Sequence, residues 1–252
     1  MAKVIAVMNQ KGGVGKTTTA QLLAVGLKNK GYKVLAIDTD GQRTLSSVMG
    51  ASTQPSILEV MQDEIPIEDA IQHTDQADII PANSLIYNAG EIFIRTGKEY
   101  KLRDAIEPIK GKYDFIVIDT PPALSIVTVN ALVCCDYVLI TALADLPTVE
   151  GISQLVNETI PPVKQYCNND IKVAGILLVK YNNRATLNRN IAEYLDKTAK
   201  SLGTKLYKTR VREAVAVREA QTVKKDIFSY APKSKVAEDC REFIKEFLRG
   251  VK

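Results

Sequence analysis

Near the start of the chain an apolar strand, a glycine-rich turn and a helix opening on Lys-Thr-Thr follow one another, and few folds accept that succession. The strand-like run Lys3–Met8 leads into Lys11-Gly12-Gly13-Val14-Gly15-Lys16-Thr17-Thr18. Ala20, Leu23, Ala24 and Leu27 then recur at helical spacing, with Lys28 and Lys30 suited to a last turn and Gly31 to its end, which predicts a helix over 17–30. A turn of this kind aims successive backbone N–H groups into one concavity, and the positive end of the helix dipole adds to them, so phosphate is favoured there. Glycines at 12, 13 and 15 let the backbone approach oxygen atoms that a Cβ would block. Lys16 then reaches the β- and γ-phosphates, and the Thr17 hydroxyl is placed to ligate magnesium.

Further apolar runs at 33–38, 77–81, 114–119, 136–141 and 171–179 are rich in Val and Ile and mostly do not alternate, as expected of strands buried on both faces. Helix-length segments separate them. The fold class that follows is α/β: a doubly wound, mostly parallel sheet flanked by helices, with residues 1–252 as a single domain. With 46% hydrophobic and 25% charged residues the chain is of ordinary globular composition, and no run approaches the roughly 20 apolar residues of a membrane span. The N-terminus carries no signal-peptide pattern, so the cytoplasm is the expected compartment. The four cysteines lack metal-ligand spacing; Cys134-Cys135, in an apolar run, read as buried free thiols, and the single histidine, His73, as a surface residue.

Two strands end in carboxylates. Val34-Leu35-Ala36-Ile37-Asp38-Thr39-Asp40-Gly41-Gln42 and Phe115-Ile116-Val117-Ile118-Asp119-Thr120-Pro121-Pro122 both pass from an apolar run to Asp. Ligands of such sheets bind at the carboxyl ends of the strands, so these acids belong beside the phosphate loop. Asp119 is placed as the terminal carboxylate that holds magnesium.

The form K-G-G-x-G-K-T-T is the deviant Walker A motif, and over nearly its whole length the sequence resembles the ParA-type ATPases of the ParA/MinD P-loop superfamily. The segments 77–83, 112–114, Val217-Arg218-Glu219-Ala220 and Tyr230-Ala231-Pro232-Lys233-Ser234 extend the resemblance. It implies that Lys11, Gly12, Gly13, Val14, Gly15, Lys16, Thr17 and Thr18 bind ATP, with Lys11 reaching the nucleotide of the other subunit in a dimer. It implies catalytic roles for Lys11, Lys16 and Asp40, the last acting on the attacking water. Thr17, Asp38 and Asp119 would form the Mg2+ shell, and Asn182 would contact the adenine. Gly41 stands where the family has Pro, which leaves that turn freer.

The net charge of +4 is unevenly spread. Residues 180–225 hold twelve Lys or Arg against four acids, a balance of +8 that leaves −4 for the rest. A local basic excess asks for a polyanionic partner, and phosphate contacts of this kind are independent of base sequence. Arg184, Arg189, Arg212, Arg218 and Lys224 are the candidate contacts to non-specific DNA. The resemblance implies a homodimer formed on ATP, a nucleoid-associated location, a role in plasmid, chromosome or mobile-element partition, and a ParB-like partner that stimulates slow hydrolysis. With the phosphate loop so close to the first residue, no N-terminal DNA-binding extension is expected. The alternative is a MinD-like membrane-positioning ATPase. Its test lies in 234–252, where Val236, Cys240, Phe243, Ile244, Phe247, Leu248 and Val251 form one apolar stripe. The opposite face mixes acids and bases, whereas a membrane-surface helix favours Lys and Arg, so core packing and no membrane contact are expected. An iron–sulfur protein of the nitrogenase type would need bridging cysteines that this sequence does not supply.

Overall fold

Strand β1 (Lys3–Met8) lies in the interior of the sheet, where it buries both faces. Val4, Ala6 and Met8 pack into one core, and Ile5 and Val7 into the other. Strand β5 (Phe115–Asp119) repeats the arrangement, with Ile116 and Ile118 on one side and Phe115 and Val117 on the other. The computed structural model describes residues 1–182 and 186–251. Among these, seven strands form one sheet in the order β3-β4-β2-β5-β1-β6-β7. The others are β2 (Val34–Asp38), β3 (Gln72–His73), β4 (Asp78–Ile80), β6 (Tyr137–Ala142) and β7 (Lys172–Leu178). All neighbours pair in parallel except β3, which runs antiparallel to β4 at the edge. After β1 the chain builds β2, β3 and β4 on one side, returns with β5 between β2 and β1, and then crosses to β6 and β7 on the other side, so the order reverses beside β1 at the carboxyl ends where such sheets bind ligands.

The expected parallel strands all form, most of them shorter by a residue at one or both ends. The edge strand β3 is new: a two-residue pairing carries no periodicity to read. His73 lies on it, exposed, with Nδ1 2.7 Å from an Asp78 oxygen. Helix α1 runs Lys16–Lys28, earlier at both ends than predicted, and Gly31 follows with φ of 91°. From Leu146 to Tyr166 the helical run contains a wider turn at Leu155–Thr159. Pro161 and Pro162, which have no N–H to donate, follow it, and a local π-turn absorbs that break.

Helix Lys235–Gly250 is capped by Ser234, whose side chain accepts from the Ala237 N–H. Its stripe is buried as expected: Val236, Cys240, Phe243, Ile244 and Phe247 join the core that α1 fills with Ala20, Leu23, Ala24 and Leu27. Burial of each phenylalanine contributes about 1.5–3 kcal/mol. The two helices touch at Gly26, where a Cβ would stand 2.7 Å from Ile244. Among the described residues no helix is long and apolar enough to cross a membrane. Cys134, Cys135 and Cys240 are buried free thiols, and burial raises each thiol pKa.

Candidate functional site

Between β1 and α1 the backbone turns through Gly13 and Gly15, both left-handed at φ of 75° and 76°. At these two positions glycine is required by conformation. At Gly12 the reason is space, since an added Cβ would meet no protein atom within 4 Å. The cradle is open where a phosphate would lie. Gly15 caps α1 with no side-chain acceptor, and the first turn has no acid, so its N–H groups await an anion. Several anchors fix the loop. Asn9 donates to the Thr141 carbonyl (2.7 Å) and accepts from the Lys11 N–H (2.8 Å). Gln10 reaches Thr159 in the π-turn (3.0 Å), and Lys180 donates to the Gly13 carbonyl (2.9 Å).

Lys16 is buried, and its ammonium donates to the Lys11 carbonyl at 2.9 Å. Burial lowers its pKa, opposed by the nearby Asp119 and Asp40 carboxylates. Lys11 itself turns to Asp145, 2.9 Å away, within its own chain. Asp145 also caps helix Leu146–Gln154 by accepting from the Thr148 N–H. No sequence signal marked Asp145 as a partner, because 134 residues separate it from Lys11.

The parallel register sets Asp38 beside Asp119 at the ends of β2 and β5. Both are fully buried. They differ in their partners. Asp38 accepts from the Ser46 N–H and hydroxyl (2.8 and 2.6 Å) and from the Asp40 N–H (3.1 Å), so it ties the turn to the helix Thr44–Val48. Neither oxygen of Asp119 has a hydrogen-bond partner, although the Thr17 hydroxyl approaches. Burial raises both carboxylate pKa values, reinforced at Asp119 by the charge on Asp38. A buried anion without a donor is costly, and a cation answers that cost. Magnesium suits this donor set, since it takes one or two carboxylates, a hydroxyl and phosphate oxygens. Of the three predicted metal residues, Thr17 and Asp119 lie together, while both oxygens of Asp38 are engaged in holding the turn.

Asp40, on that turn, accepts on Oδ1 from the Gln42 N–H (2.9 Å) and the Tyr87 hydroxyl (3.2 Å). Beside the loop, Leu22, Val179, Val211, Ala214, Val217 and Gln221 line a cleft of about 200 Å³ with Gly15 and Thr18 at its floor. Lys180, Arg212, Glu213 and Arg218 line it as well, so the cleft joins apolar walls to a charged rim. Gln221 donates to the Thr18 hydroxyl (3.2 Å). Sequence reasoning gave only Asn182 for the base; it lies next to this cleft, on a larger one. The rest come from segments some thirty to two hundred positions apart.

Residues 2–173 match the family model AAA_31, an AAA domain. The chain is 35% identical to the sporulation initiation inhibitor protein Soj of Bacillus subtilis (strain 168), with 98% of each chain covered. It is 33% identical to the chromosome partitioning protein ParA of Myxococcus xanthus (strain DK1622), with 99% of this chain and 89% of that one covered. The chain belongs to the ParA-type group of the ParA/MinD P-loop superfamily. Its fold matches solved members of that superfamily at large. The cobyrinic acid a,c-diamide synthase of Mycobacterium smegmatis, with bound ATP analog and magnesium, superposes with a TM-score of 0.87 at 30% identity, covering 100% of this chain and 96% of that one.

In this ParA-type chain the basic residues gather around the larger cleft, about 840 Å³, lined by Tyr181, Asn182, Lys208, Arg210, Arg212 and Arg218 among others. The isolated parallel bridge between Tyr181 and Arg212 brings the two segments together. Arg210 stacks over the Tyr181 ring at 4.6 Å and donates to its hydroxyl at 2.6 Å. Arg212 has its counter-ion within the chain: two bonds of 2.6 and 2.7 Å to Asp239, so it adds little to the free excess. Arg218 and Lys224 are exposed, and Arg189 is exposed on helix Thr186–Ser201. Arg184 lies outside the described residues.

Proposed function

We propose that the chain is a ParA-like ATPase that binds ATP with Mg2+, dimerises on it, and in that state binds DNA without sequence preference. The observation that carries the reading is the pair of open ends at one place: an uncapped α1 N-terminus awaiting anions and a buried Asp119 carboxylate awaiting a cation. Asp119 and Thr17 would hold magnesium, which would supply neutralisation of the phosphate charge. The protein's own residues do the rest. Gly12, Gly13, Val14 and Gly15 present the loop, Lys16 reaches the phosphates, Thr17 and Thr18 open the helix, and Asp40 accepts from the attacking water. Asp38 keeps the Asp40 turn in register.

Lys11 supports the dimer. Its pair with Asp145 is more than a third exposed on both sides, so it contributes at most roughly 1 kcal/mol. A phosphate group offered by a second subunit displaces such a pair easily. The basic cleft with Arg218, together with Arg189 and Lys224, is the surface offered to DNA, and a ParB-like protein is the expected activator in a nucleoid-associated partition system. The membrane alternative loses its best candidate element, because the apolar stripe of Lys235–Gly250 is buried against α1 and the sheet.

The test is a binding series with non-specific duplex DNA and with anionic vesicles, each with ATP, ADP and no nucleotide across a range of salt. DNA retention with ATP alone, falling steeply with salt, is expected. Vesicle binding without ATP-dependent DNA binding refutes the proposal.

A further inference from the structure

At Gly41 the backbone of the acidic turn is crowded from outside. A Cβ built there would stand 2.6 Å from two ring atoms of Tyr87 and 2.9 Å from a third. No φ constraint asks for glycine at 41; the ring does. Any side chain, a proline ring included, would push Tyr87 away. Tyr87 comes from the short helical turn Ser84–Asn88, which Asn83 caps by accepting from the Leu85 N–H. Its ring is about half exposed, so hydrophobic burial alone gives little reason for its placement. The hydroxyl gives one: it donates to Asp40 Oδ1 at 3.2 Å, the same oxygen that accepts from the Gln42 N–H.

We propose that Tyr87, seated on the bare backbone of Gly41, is a positioning residue for Asp40. Two donors on Oδ1 fix the carboxylate's rotation and reserve Oδ2 for the water. With one backbone donor alone the carboxylate swings about it, because a single hydrogen bond does not fix a torsion. The 3.2 Å contact is long for an O–H···O bond, and bonds of this kind tighten when substrate closes the site. Among the described residues the Tyr87 hydroxyl bonds the Asp40 turn and makes no hydrogen bond to the phosphate loop, Thr17 or Asp119. Its effect therefore falls on turnover and leaves nucleotide affinity alone. The inference rests on the ATPase reading, in which Asp40 accepts from water.

The experiment compares wild type, Tyr87→Phe, Gly41→Ala, the double variant and Asp40→Ala in steady-state ATP hydrolysis, alongside fluorescent-ATP binding and thermal unfolding. Tyr87→Phe keeps the ring on Gly41 and removes only the donor. Its kcat is expected to fall about tenfold, the worth of one hydrogen bond to a charged group, with KM, ATP affinity and Tm within twofold or within a degree or so of wild type. Gly41→Ala, which displaces the ring, should lose a similar factor. The double variant should fall no further, where independent effects would multiply to about a hundredfold. In the Asp40→Ala background Tyr87→Phe should change nothing. Tyr87→Phe at wild-type kcat while Asp40→Ala is inactive overturns the positioning role alone. So does a loss in kcat matched by equal loss of ATP affinity, which marks a structural residue. Asp40→Ala at full rate, or a wild type without ATP hydrolysis, overturns the ATPase reading itself.

Discussion

Replacing Asp119 by Asn should make the protein more stable and useless. The carboxylate is fully buried, neither oxygen has a hydrogen-bond partner within normal geometry, the Thr17 hydroxyl and the Lys16 ammonium answer it only in part, and Asp38 sits beside it on the neighbouring strand. Leaving a buried polar group unsatisfied costs about 1–3 kcal/mol, more when it is charged. Asn removes the charge and the repulsion from Asp38 and offers an N–H₂ to the Asp38 carboxylate. A gain of about 2 kcal/mol is expected, which for a chain of this length raises Tm by about 4–8 °C. The same change removes the cation's anchor. Wild type at a hundredfold excess of Mg-ATP over its Kd gains about 2.7 kcal/mol from ligand linkage, and the variant should gain almost none. Thermal unfolding followed by circular dichroism, with EDTA and with Mg-ATP, reads both effects in one series. A variant less stable than wild type in EDTA refutes the account of Asp119 as a charge answered only in part. An undiminished Mg-dependent shift refutes its role at the cation.

Lys11→Ala should abolish ATP-dependent dimerisation in size exclusion with light scattering, while the monomer loses less than about 1 kcal/mol in urea unfolding, since only an exposed pair with Asp145 is removed. Asp38, whose pKa burial pushes from 3.8 up to about 6, holds a proton in the folded state that the unfolded chain has released. Stability of the metal-free protein should therefore decline as pH rises from about 4 through about 6 on account of this group, and Asp38→Asn should flatten that slope in urea titrations with EDTA. Arg218→Ala should weaken ATP-dependent DNA binding and lower its salt slope by about one, whereas Arg212→Ala, already neutralised by Asp239, should leave the slope nearly unchanged in fluorescence anisotropy.

The phosphate loop and the strands were legible because local sequence determines them: Gly13 and Gly15 need left-handed backbone, and β1 and β5 need apolar side chains on both faces. The acids at 38 and 119 were legible for the same reason, being the last residues of such strands. Their difference was not. What separates Asp38 from Asp119 is Ser46, which lies on a five-residue helix with no periodic signal. Tyr87 escaped notice likewise, since nothing in Ser-Leu-Ile-Tyr-Asn says that its ring reaches back to Gly41. The basic excess of 180–225 was visible as charge, but sequence counted Arg212 equally with Arg218. Only the fold brings Asp239, from the last helix, against one of them.

The helix Val215–Thr222 shows how nucleotide and the basic cleft can be coupled in this ParA-type chain. Gln221 bonds the Thr18 hydroxyl in the first turn of α1, and Arg218, one turn earlier on the same helix, lines both the cleft beside the phosphate loop and the basic cleft. Three residues apart on a helix is one face, so a ligand that moves Gln221 moves Arg218 with it. Proximity alone is not coupling; a two-state element biased by both ligands is needed. The proposed dimer supplies it. Joining two subunits through Lys11 doubles the number of basic clefts on one particle, and two clefts held at a fixed spacing bind a continuous DNA far more tightly than either does alone. On the proposed function, hydrolysis would dissolve the pair, and with it the avidity, without any residue of the cleft having to change its own affinity for phosphate.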